Sequence, residues 1–371
     1  MVSSAATHVL VTGGAGFIGS HIVDELVERD IKVTVLDNLD PAAHAVRPGY
    51  LRSDVHYVWA DARDPDAWRR SLVGVDAVCH QAGKVGLGVD FGDVTGYVQH
   101  NDVAMAAGLL VLHERRFQGR FVLASSMVVY GEGRYVCVDH GLVRPAPRRV
   151  ECLEAGNFEP PCPTCGAPLV SQPIPETAPL EPRNVYAATK LHQEHLLAAF
   201  AREHPVSSTS LRYHNVFGAR MPRDTPYAGV ASIFRSAFEQ GRAPQVTEDG
   251  HQRRDFVHVT DVAHANVLAL TGPSVPGVFN IGSGRPHSVG EMAQALASAF
   301  GAEPGDHRWP VVTGGFRLGD VRHVYACTDA AKNDLGFTAA IDFTTGMRSF
   351  ATATLRASVV TNGGENGPDL A

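Results

Sequence analysis

The sequence predicts an α/β fold built on a doubly wound parallel sheet, with a Cys-rich insertion and a smaller C-terminal lobe. Short β-branched runs alternate with helical segments up to residue 218, a pattern typical of a parallel sheet covered by helices on both faces. Residues 132–182 break this alternation, because they are rich in Pro, Arg, Gly and Cys and show no period. From about residue 219 the pattern becomes irregular, which favours a separate smaller lobe.

Six strands are predicted for the sheet, and each β-branched or apolar run ends in a turn signal. In chain order they lie in HVLVTGG, KVTVLDN, DVHYVWADARD, VDAVCHQAG, FVLASSMVVYG and SSTSLRYHNVFG. The stretch FIGSHIVDELVERD after the first strand and VYAATKLHQEHLLAAFAREH before the sixth have helical spacing. We therefore expect the sheet domain to comprise residues 1–132 and 176–218, the insertion 133–175 and the lobe mainly 219–356, with a disordered tail at 357–371.

Composition and charge exclude several classes of protein. The chain has 371 residues, of which 44% are hydrophobic, enough to bury a full-sized core. Its formal net charge is −7 and no long Lys/Arg block compensates for it, which argues against a nucleic-acid partner. No apolar run is long enough to span a membrane, and the N-terminus MVSSAATHVL lacks the pattern of an export signal. We expect a cytoplasmic protein without a membrane partner.

A glycine-rich turn joins the first strand to the first helix and predicts a dinucleotide site. Gly13 allows the tight turn, Gly16 lets the backbone approach a pyrophosphate, and Gly19 lets helix and strand pack closely. Amides at the start of the helix then bind the phosphates. Asp37 ends the second strand about 20 residues on, where a carboxylate binds a ribose 2′-hydroxyl and repels a 2′-phosphate. The pattern therefore favours NAD over NADP.

Eight motifs in one order then indicate a family. They are TGGAGFIG, ADARD, HQAG, SSMVVYG, YAATK, RYHNVFG, RRDFVHVTDV and RLGDVRH, and they run from residue 12 to 323. The chain resembles the extended short-chain dehydrogenases/reductases, in the group of NAD-dependent nucleotide-sugar epimerases and dehydratases. The resemblance implies a Rossmann-type nucleotide domain and a homodimer. It implies a cofactor set of Gly13, Gly16, Phe17, Ile18, Gly19, Asp37, Asn38, Asp61, Ala62, Gln81, Ala82, Gly83, Tyr186 and Lys190.

Tyr186 and Lys190 lie four residues apart and so share one face of the predicted helix. The resemblance implies that Tyr186 acts as a base that takes a proton from a sugar hydroxyl. Lys190 and the positive nicotinamide ring are expected to lower the pKa of the phenol. Ser126, at the end of the fifth strand, would orient that hydroxyl. Sugar 4,6-dehydratases of this group carry an Asp-Glu pair after the serine, but this chain has Met127 and Val128, which cannot act as acid or base.

The resemblance also implies contacts to a nucleoside-diphosphate hexose. Arg254 and Arg317 match the diphosphate-binding arginines of the family, and guanidinium groups suit bidentate phosphate contacts. Lys84 and Asn215 occupy further substrate positions. Surface ion pairs for the arginines, a turn for Asn215 and a turn cap for Asp61 remain open as structural alternatives.

Cysteines in the insertion predict a metal site. Cys137 and His140 form one pair with knuckle spacing, and Cys162 and Cys165 form a second. Two such pairs separated by a loop fit tetrahedral zinc that is closed by four protein ligands, and closed coordination indicates structure rather than catalysis. Cys152 is a possible substitute for His140, and free thiols are the alternative to a metal. A metal is favoured because such a long Pro-rich loop has little else to hold it. The insert is similar to the Cys-rich insert of a subset of sugar 4-epimerases, some of them resembling dTDP-L-rhamnose 4-epimerase.

These observations predict a nucleotide-sugar 4-epimerase that uses tightly bound NAD through a transient 4-keto hexose. A nucleotide-sugar 4-ketoreductase that consumes NAD(P)H is the second hypothesis. A non-catalytic protein that senses dinucleotides is a third, from a different class. For the homodimer, Leu191, Leu196 and Leu197 are candidate interface residues, although packing within one chain would explain them equally well.

Overall fold

The computed structural model describes residues 5–86, 91–223 and 229–356, so the predicted disordered tail at 357–371 lies outside the described residues. Within these ranges the strands, in chain order, are β1 (His8–Thr12), β2 (Lys32–Asp37), β3 (His56–Trp59), β4 (Ala77–His80), β5 (Arg120–Ser126), β6 (Arg134–Cys137), β7 (Gly141–Val143), β8 (Val170–Gln172), β9 (Ser207–Tyr213), β10 (Asn215–Phe217), β11 (Gln245–Val246), β12 (Arg253–His258), β13 (Gly277–Ile281), β14 (Pro286–Ser288), β15 (Val311–Val312) and β16 (His323–Val324).

The helices of the same ranges carry the apolar spacing that the sequence shows. They are α1 (Phe17–Glu28), α2 (Pro65–Ser71), α3 (Val94–Tyr97), α4 (Ala104–Glu114), α5 (Val150–Glu154), α6 (Val185–Glu203), α7 (Val230–Glu239), α8 (Val259–Thr271), α9 (Val289–Ala299), α10 (Asp329–Asn333) and α11 (Phe343–Thr352). A π-helical turn, Val98–Val103, connects α3 to α4. A 3₁₀ turn, Met127–Tyr130, follows β5 directly.

A seven-stranded parallel sheet forms the centre of the molecule, in the order β13-β9-β5-β4-β1-β2-β3. The chain runs outward from β1 to β3, then returns to the other side of β1 with β4. Ligands of such sheets bind at this reversal, outside the carboxyl ends of the strands. The arrangement confirms the predicted doubly wound α/β fold and places Thr12, at the end of β1, and His80, at the end of β4, beside the expected site.

Two details of the sheet differ from the prediction. The sixth predicted strand, residues 207–218, is divided at His214 into β9 of the central sheet and β10 of a second sheet. A seventh central strand, β13, comes from the region assigned mainly to the lobe. Its five residues, GVFNI, are too few for a period to stand out from the surrounding loops.

Helices cover both faces of the central sheet. On one face, Ile22 and Leu26 of α1 pack with Val262 and Leu270 of α8. On the other face, Trp68 of α2 packs with residues of α4 and α6, among them Met105, Leu112, Leu197 and Phe200. Burying one such side chain contributes roughly 1.5–3 kcal/mol, so both layers hold the strand ends rigidly in place.

The remaining chain forms the insertion and the lobe. In the insertion, β7, β6 and β8 make a small antiparallel sheet. In the lobe, β10, β12, β14 and β16 form a second sheet, and α7, α9 and α11 enclose a separate apolar core. Among the described residues, none of the helices combines the length and the hydropathy that crossing a membrane requires.

Candidate active site and metal cluster

The glycine turn has the geometry that a dinucleotide loop needs. Gly13 adopts φ +68°, and a Cβ there would lie 2.7 Å from the backbone nitrogen of Ala82. A Cβ at Gly19 would lie 2.2 Å from the carbonyl oxygen of Gly13, so neither position accepts a side chain. Gly16 starts α1, whose first turn has no capping side chain and no acid. Its amides and the positive end of the helix dipole therefore suit a pyrophosphate.

Asp37 lies at the carboxyl end of β2, next to the glycine turn. Its carboxylate accepts hydrogen bonds from the amides of Ala15, at 3.0 Å, and Leu39, at 2.8 Å. The two amides fix the carboxylate, and its remaining lone pairs suit ribose hydroxyls. Asn38 is exposed and caps the local turn through the amide of Asp40.

Asp61 is engaged by a neighbour. Its carboxylate accepts from the backbone amide of Arg63, at 2.8 Å, and forms an ion pair of 2.6 Å with the Arg63 guanidinium. These contacts match the turn-cap alternative and leave the adenine role of Asp61 as a proposal. The carbonyl of Ala62 accepts a hydrogen bond from the indole of Trp68.

The loop after β4 lies across the switch point of the sheet. The amide of Ala82 donates to the Thr12 hydroxyl at 3.2 Å, and the Gln81 side chain donates to Tyr213 at 3.0 Å. A Cβ at Gly83 would lie 3.5 Å from the Lys190 nitrogen, so this loop touches the lysine directly.

Two residues beside the glycine turn were missed by sequence reasoning. The Tyr50 hydroxyl donates to the carbonyl of Ala15 at 2.8 Å. Arg356, near the end of the described chain, interacts electrostatically with both Tyr50 and Asp37. Neither residue lies in a periodic segment or a motif, so no local signal marked them.

Ser126, Tyr186 and Lys190 meet at the carboxyl end of β5. Asn184 caps α6 by accepting from the amide of Ala187, at 2.8 Å, which fixes the first turn that carries Tyr186. The Ser126 hydroxyl lies close to the phenol of Tyr186 and lowers the pKa of the phenol in the manner of a hydrogen bond. Lys190 is buried and donates from Nζ to the carbonyl of Ala124 at 3.0 Å. The structure thus brings together the three side chains predicted for catalysis.

Burial governs the protonation of this group. It raises the pKa of Tyr186 to about 12, against the opposing effect of the Ser126 hydrogen bond. It lowers the pKa of Lys190 to about 8, against the nearby carboxylates of Asp102 and Glu194. The chain's own residues therefore do not lower the tyrosine pKa as the sequence argument expected of the lysine. The reason is that both groups are desolvated and the ammonium is directed at a backbone carbonyl.

The π-helical turn supplies a further residue that sequence reasoning missed. Asn101 is fully buried there, donates to the hydroxyl of Thr189 at 2.9 Å and accepts from the amide of Lys84 at 2.8 Å. It thereby ties α6 to the segment that carries Lys84. The ammonium of Lys84 forms an ion pair of 2.9 Å with Asp93. π-helical turns occur often at functional sites, but they have no sequence signature.

A small cleft of about 50 Å³ lies between the 3₁₀ turn that follows Ser126 and the lobe, and none of Ser126, Tyr186 and Lys190 lines it. Met127 and Val128 line one side of it, and Gly319 and Asp320 line the other. Arg183 also lines it, and its buried Nε has no hydrogen-bond partner within the described part of the chain. A larger cleft, about 790 Å³, lies between the insertion and the lobe, and none of the predicted catalytic residues lines it.

The predicted diphosphate residues are arranged around residues 317–323. Arg254 donates to the carbonyls of Val321, at 2.7 Å, and Arg322, at 2.9 Å. Arg317 is exposed, and across the described ranges no side-chain hydrogen bond or ion pair engages its guanidinium. Asn215 has a buried Oδ1 without a partner among the described residues, so it can accept a hydrogen bond from a ligand.

The four predicted metal ligands converge in the insertion. Ligand atoms of Cys137, His140, Cys162 and Cys165 all lie within 4.8 Å of one another. The Cys137 sulfur is 3.5 Å from Nδ1 of His140 and 3.7 Å from the Cys165 sulfur, and the Cys162 sulfur is 3.8 Å from Nδ1. Tetrahedral zinc, with bonds of about 2.3 Å to sulfur and 2.0 Å to nitrogen, separates its ligand atoms by roughly 3.5–3.8 Å.

The local backbone favours the thiolate at two of the three cysteines, whereas desolvation and the neighbouring sulfurs of Cys162 and Cys137 raise the pKa of the third, Cys165. A backbone amide hydrogen bond from Asp139 lowers the pKa of the Cys137 thiol, and one from Cys165 lowers that of Cys162. Cys152 lies outside the cluster, and its sulfur accepts from the guanidinium of Arg149 at 3.7 Å. The donor set thus fits zinc, with His140 rather than Cys152 as the fourth ligand.

Comparison with known proteins agrees with this geometry. A sequence profile described as the NAD dependent epimerase/dehydratase family matches residues 9–148 and 163–282. The dTDP-L-rhamnose 4-epimerase of Burkholderia thailandensis is 34% identical over 342 residues, covering 89% of this chain and 90% of that protein. The UDP-glucose 4-epimerase of Thermotoga maritima, solved with UDP-glucose, has a TM-score of 0.75 at 28% identity, covering 93% of this chain and 97% of that one. The UDP-glucose 4-epimerase of Thermus thermophilus, solved with NAD, has a TM-score of 0.72 at 29% identity with the same coverage.

Proposed function

The chain belongs to the NAD dependent epimerase/dehydratase family, and we propose that it is a nucleotide-sugar 4-epimerase with Tyr186 as its acid and base. The observation that carries the proposal is that Ser126, Tyr186 and the buried Lys190 meet at the carboxyl end of β5. The glycine turn and Asp37 fit NAD at the adjacent switch point of the sheet.

Tyr186 handles the proton at the sugar carbon C4. Bound NAD⁺ supplies the hydride acceptor at that carbon, and in its reduced form the donor. Ser126 orients the C4 hydroxyl toward the phenolic oxygen. Tyr186 takes the proton of that hydroxyl during oxidation and returns it during reduction. The Lys190 ammonium, which donates to the carbonyl of Ala124 and lies near Gly83, would hold the ribose end of the cofactor.

The cleft beyond Ser126 explains why the reaction stops at epimerisation. Met127 and Val128 line it and carry no group that can remove a proton from C5 or expel a 6-hydroxyl. The 4-keto hexose can therefore only rotate and be reduced on its other face. Arg183, with its unpartnered buried Nε, is placed to hydrogen-bond the hexose in this cleft.

The nucleotide end of the substrate lies toward the lobe in this proposal. Arg317 and Arg254 bind the diphosphate, since guanidinium groups pair with phosphate oxygens in a bidentate manner. Asn215 and Lys84 provide further polar contacts. These roles rest on the family motifs, on the contacts of Arg254 with the carbonyls of Val321 and Arg322, and on the unpartnered buried Oδ1 of Asn215.

A structural zinc ion in the insertion is the second part of the proposal. Cys137, His140, Cys162 and Cys165 would hold it, and four protein ligands leave no open position for a substrate. The ion would supply cross-linking of the loop rather than chemistry. A reducing cytoplasm, where we place the protein, keeps such thiols available as ligands.

We also propose a homodimer that pairs α4 and α6 with those of a second copy. Support comes from Leu110, an apolar residue of α4 that is 49% exposed. Of the interface candidates on α6, Leu197 is excluded because it is buried in the core. Leu196 is partly buried against that core, and Leu191 is partly buried against a separate apolar cluster that includes Val129 and Tyr130. Size-exclusion chromatography with light scattering tests this part directly.

The experiment for the main proposal measures cofactor retention and turnover together. Purified protein is denatured and the released dinucleotide is quantified, while native protein is incubated with dTDP- and UDP-hexoses without added cofactor. Formation of the C4 epimer supports the proposal. A requirement for stoichiometric NAD(P)H would identify a 4-ketoreductase instead. If Tyr186→Phe left the biological activity unchanged, a non-catalytic dinucleotide-sensing protein would be the better description.

A further inference from the structure

A buried cluster of charges joins the insertion to the lobe. The Arg322 side chain is 1% exposed and pairs with Glu248 and Glu159, both at 2.7 Å, and with Asp249 at 2.8 Å. Glu248 also pairs with Arg148 at 2.8 Å, and those two side chains are 2% and 5% exposed. Arg148 and Glu159 belong to the insertion, whereas Glu248 and Asp249 belong to the turn between β11 and β12.

The same cluster fixes the backbone of the segment that carries Arg317. Arg148 donates to the carbonyl of Asp320 at 2.7 Å, and Glu132 accepts from the amide of Arg322 at 2.8 Å. Together with the two bonds from Arg254 to the carbonyls of residues 321 and 322, these contacts fix three consecutive residues. Arg317 is joined to this anchored stretch by a turn in which the amide of Asp320 donates to its carbonyl.

Glu248 occupies a strained backbone conformation that the charge cluster and two backbone hydrogen bonds hold in place. Its φ is +53°, which costs a non-glycine residue of this kind roughly 1–2 kcal/mol. Its amide donates to Gly315 at 2.7 Å, and its carbonyl accepts from Gly314 at 3.1 Å. Its two carboxylate oxygens contact Arg148 and Arg322. Strained residues held by their surroundings in this way occur where geometry matters for function.

We infer that Arg148 and Glu159 are positioning residues for the nucleotide end of the substrate. They hold the backbone of residues 320–322, and with it the segment that carries Arg317, opposite Met127 across the cleft that Met127 shares with Asp320. This inference rests on the proposed epimerase function, because it assigns the braced segment to substrate binding. Buried ion pairs add little net stability but fix geometry, which suits this role.

The metal cluster also restrains Arg148 and Glu159. Arg148 and Glu159 both lie in the chain between the two ligand pairs, after His140 and before Cys162. A metal that joins the pairs closes this stretch into a loop and limits the freedom of both side chains. Loss of the metal should therefore loosen residues 317–323 without touching the NAD site.

Binding of dTDP and UDP to purified enzyme with its dinucleotide, measured by calorimetry, tests the inference. We expect Arg148→Met and Glu159→Gln to weaken binding of the preferred nucleotide at least tenfold, and chelation of the metal to do the same to the wild type. Dinucleotide content should stay constant, and turnover should show a raised KM with kcat changed less than threefold. Arg149→Met is the matched control, because within the described residues the exposed Arg149 side chain hydrogen-bonds only to Cys152, and nucleotide binding by this variant should stay within twofold of the wild type.

Combining chelation with Arg148→Met shows whether the metal acts through Arg148 or loosens the protein generally. If the insertion acts through Arg148, chelation should add less than twofold to the defect of Arg148→Met, and independent multiplied effects would overturn the inference. Equal binding by wild type and both variants would also overturn it. If Arg148→Met folds poorly, nucleotide binding by the chelated wild type and by Glu159→Gln tests the inference instead. A wild type that binds neither nucleotide would instead contradict the proposed function.

Discussion

Lys190 donates a hydrogen bond from its ammonium group to the backbone carbonyl of Ala124 across 3.0 Å. This contact fixes the lysine between β5 and the loop that carries Gly83, and it directs the charge toward the sheet rather than at the phenol. Burial raises the pKa of Tyr186 to about 12 and lowers that of Lys190 to about 8. A phenol active near neutral pH therefore requires the positive charge of an oxidised nicotinamide beside it.

Tyr186→Phe should remove proton transfer while leaving the cofactor in place. We expect kcat to fall by about 10²–10⁴-fold, the usual contribution of a general acid or base, with dinucleotide content unchanged. Steady-state epimerisation and dinucleotide released on denaturation provide the measurements. Tyr57→Phe is the control, since its hydroxyl accepts from the amide of Arg52 away from the site. Retention of more than a tenth of the wild-type kcat would rule out Tyr186 as the acid and base.

Lys190 should give the protein freed of dinucleotide a stability that rises with pH. Its folded pKa of about 8 lies below its ordinary value of 10.5, so the folded chain releases this proton first. The unfolded chain binds more protons between pH 8 and 10.5, and the free energy of unfolding therefore increases with pH in that window. Relative to Lys190→Met, the wild type should gain about 2 kcal/mol between pH 8 and 10.

Urea denaturation of both proteins at pH 8, 9 and 10 measures this difference. The series ends at pH 10 because the raised pKa of Tyr186, about 12, has the opposite effect above that pH: stability present below pH 10 is lost toward pH 12. A pH-independent difference between wild type and Lys190→Met would show that the lysine is not desolvated in the folded chain.

Local sequence patterns predicted the parts of the fold that depend on local physics. HVLVT becomes a fully buried parallel strand, and KVTVLD becomes one that is buried except at Lys32. Asp37 ends β2 and Ser126 ends β5, where the pattern predicted them. The spacing of the cysteines and the histidine predicted the ligand set. Each pair of ligands is local in the sequence, so the two pairs only have to pack together once to give four tetrahedral ligands. In each case the pattern lies within about seven residues of the chain, so it can be recognised in a single sequence.

Long-range contacts account for what the sequence did not predict. Arg322 meets Glu159 across 163 residues, and charged residues far apart in the chain carry no mark of their partners. Asn101 gains its role from a π-helical turn that propensity does not encode, and β13 is identified as central only by pairing with β9. The protonation of Tyr186 was inferred from charge alone, whereas burial, which only the fold reveals, has the larger effect.

Gly13→Ala should abolish dinucleotide binding and destabilise the chain. The new Cβ would occupy a left-handed conformation and lie 2.7 Å from the backbone of Ala82, which has no flexible end to move away. We expect the free energy of unfolding to fall by about 2–4 kcal/mol from the two costs together. Thermal denaturation and dinucleotide content measure both effects. Gly49→Ala is the control, because no atom lies within 4 Å of its added Cβ, and comparable losses in that variant would refute the steric argument.

Cys162→Ser should remove the bound metal, whereas Cys152→Ser should keep it. Cys162 lies in the cluster with Cys137, His140 and Cys165, and serine does not replace a thiolate ligand of zinc. Cys152 lies outside that cluster beside Arg149, so its loss leaves four ligands intact. Elemental analysis should give one zinc per chain for wild type and Cys152→Ser and less than a tenth of that for Cys162→Ser. Because the metal closes the loop from 137 to 165, limited proteolysis should then cut Cys162→Ser within the insertion first. A wild type that is fully folded and resists proteolysis equally well after complete chelation would show that the four side chains form a thiol cluster without a structural metal.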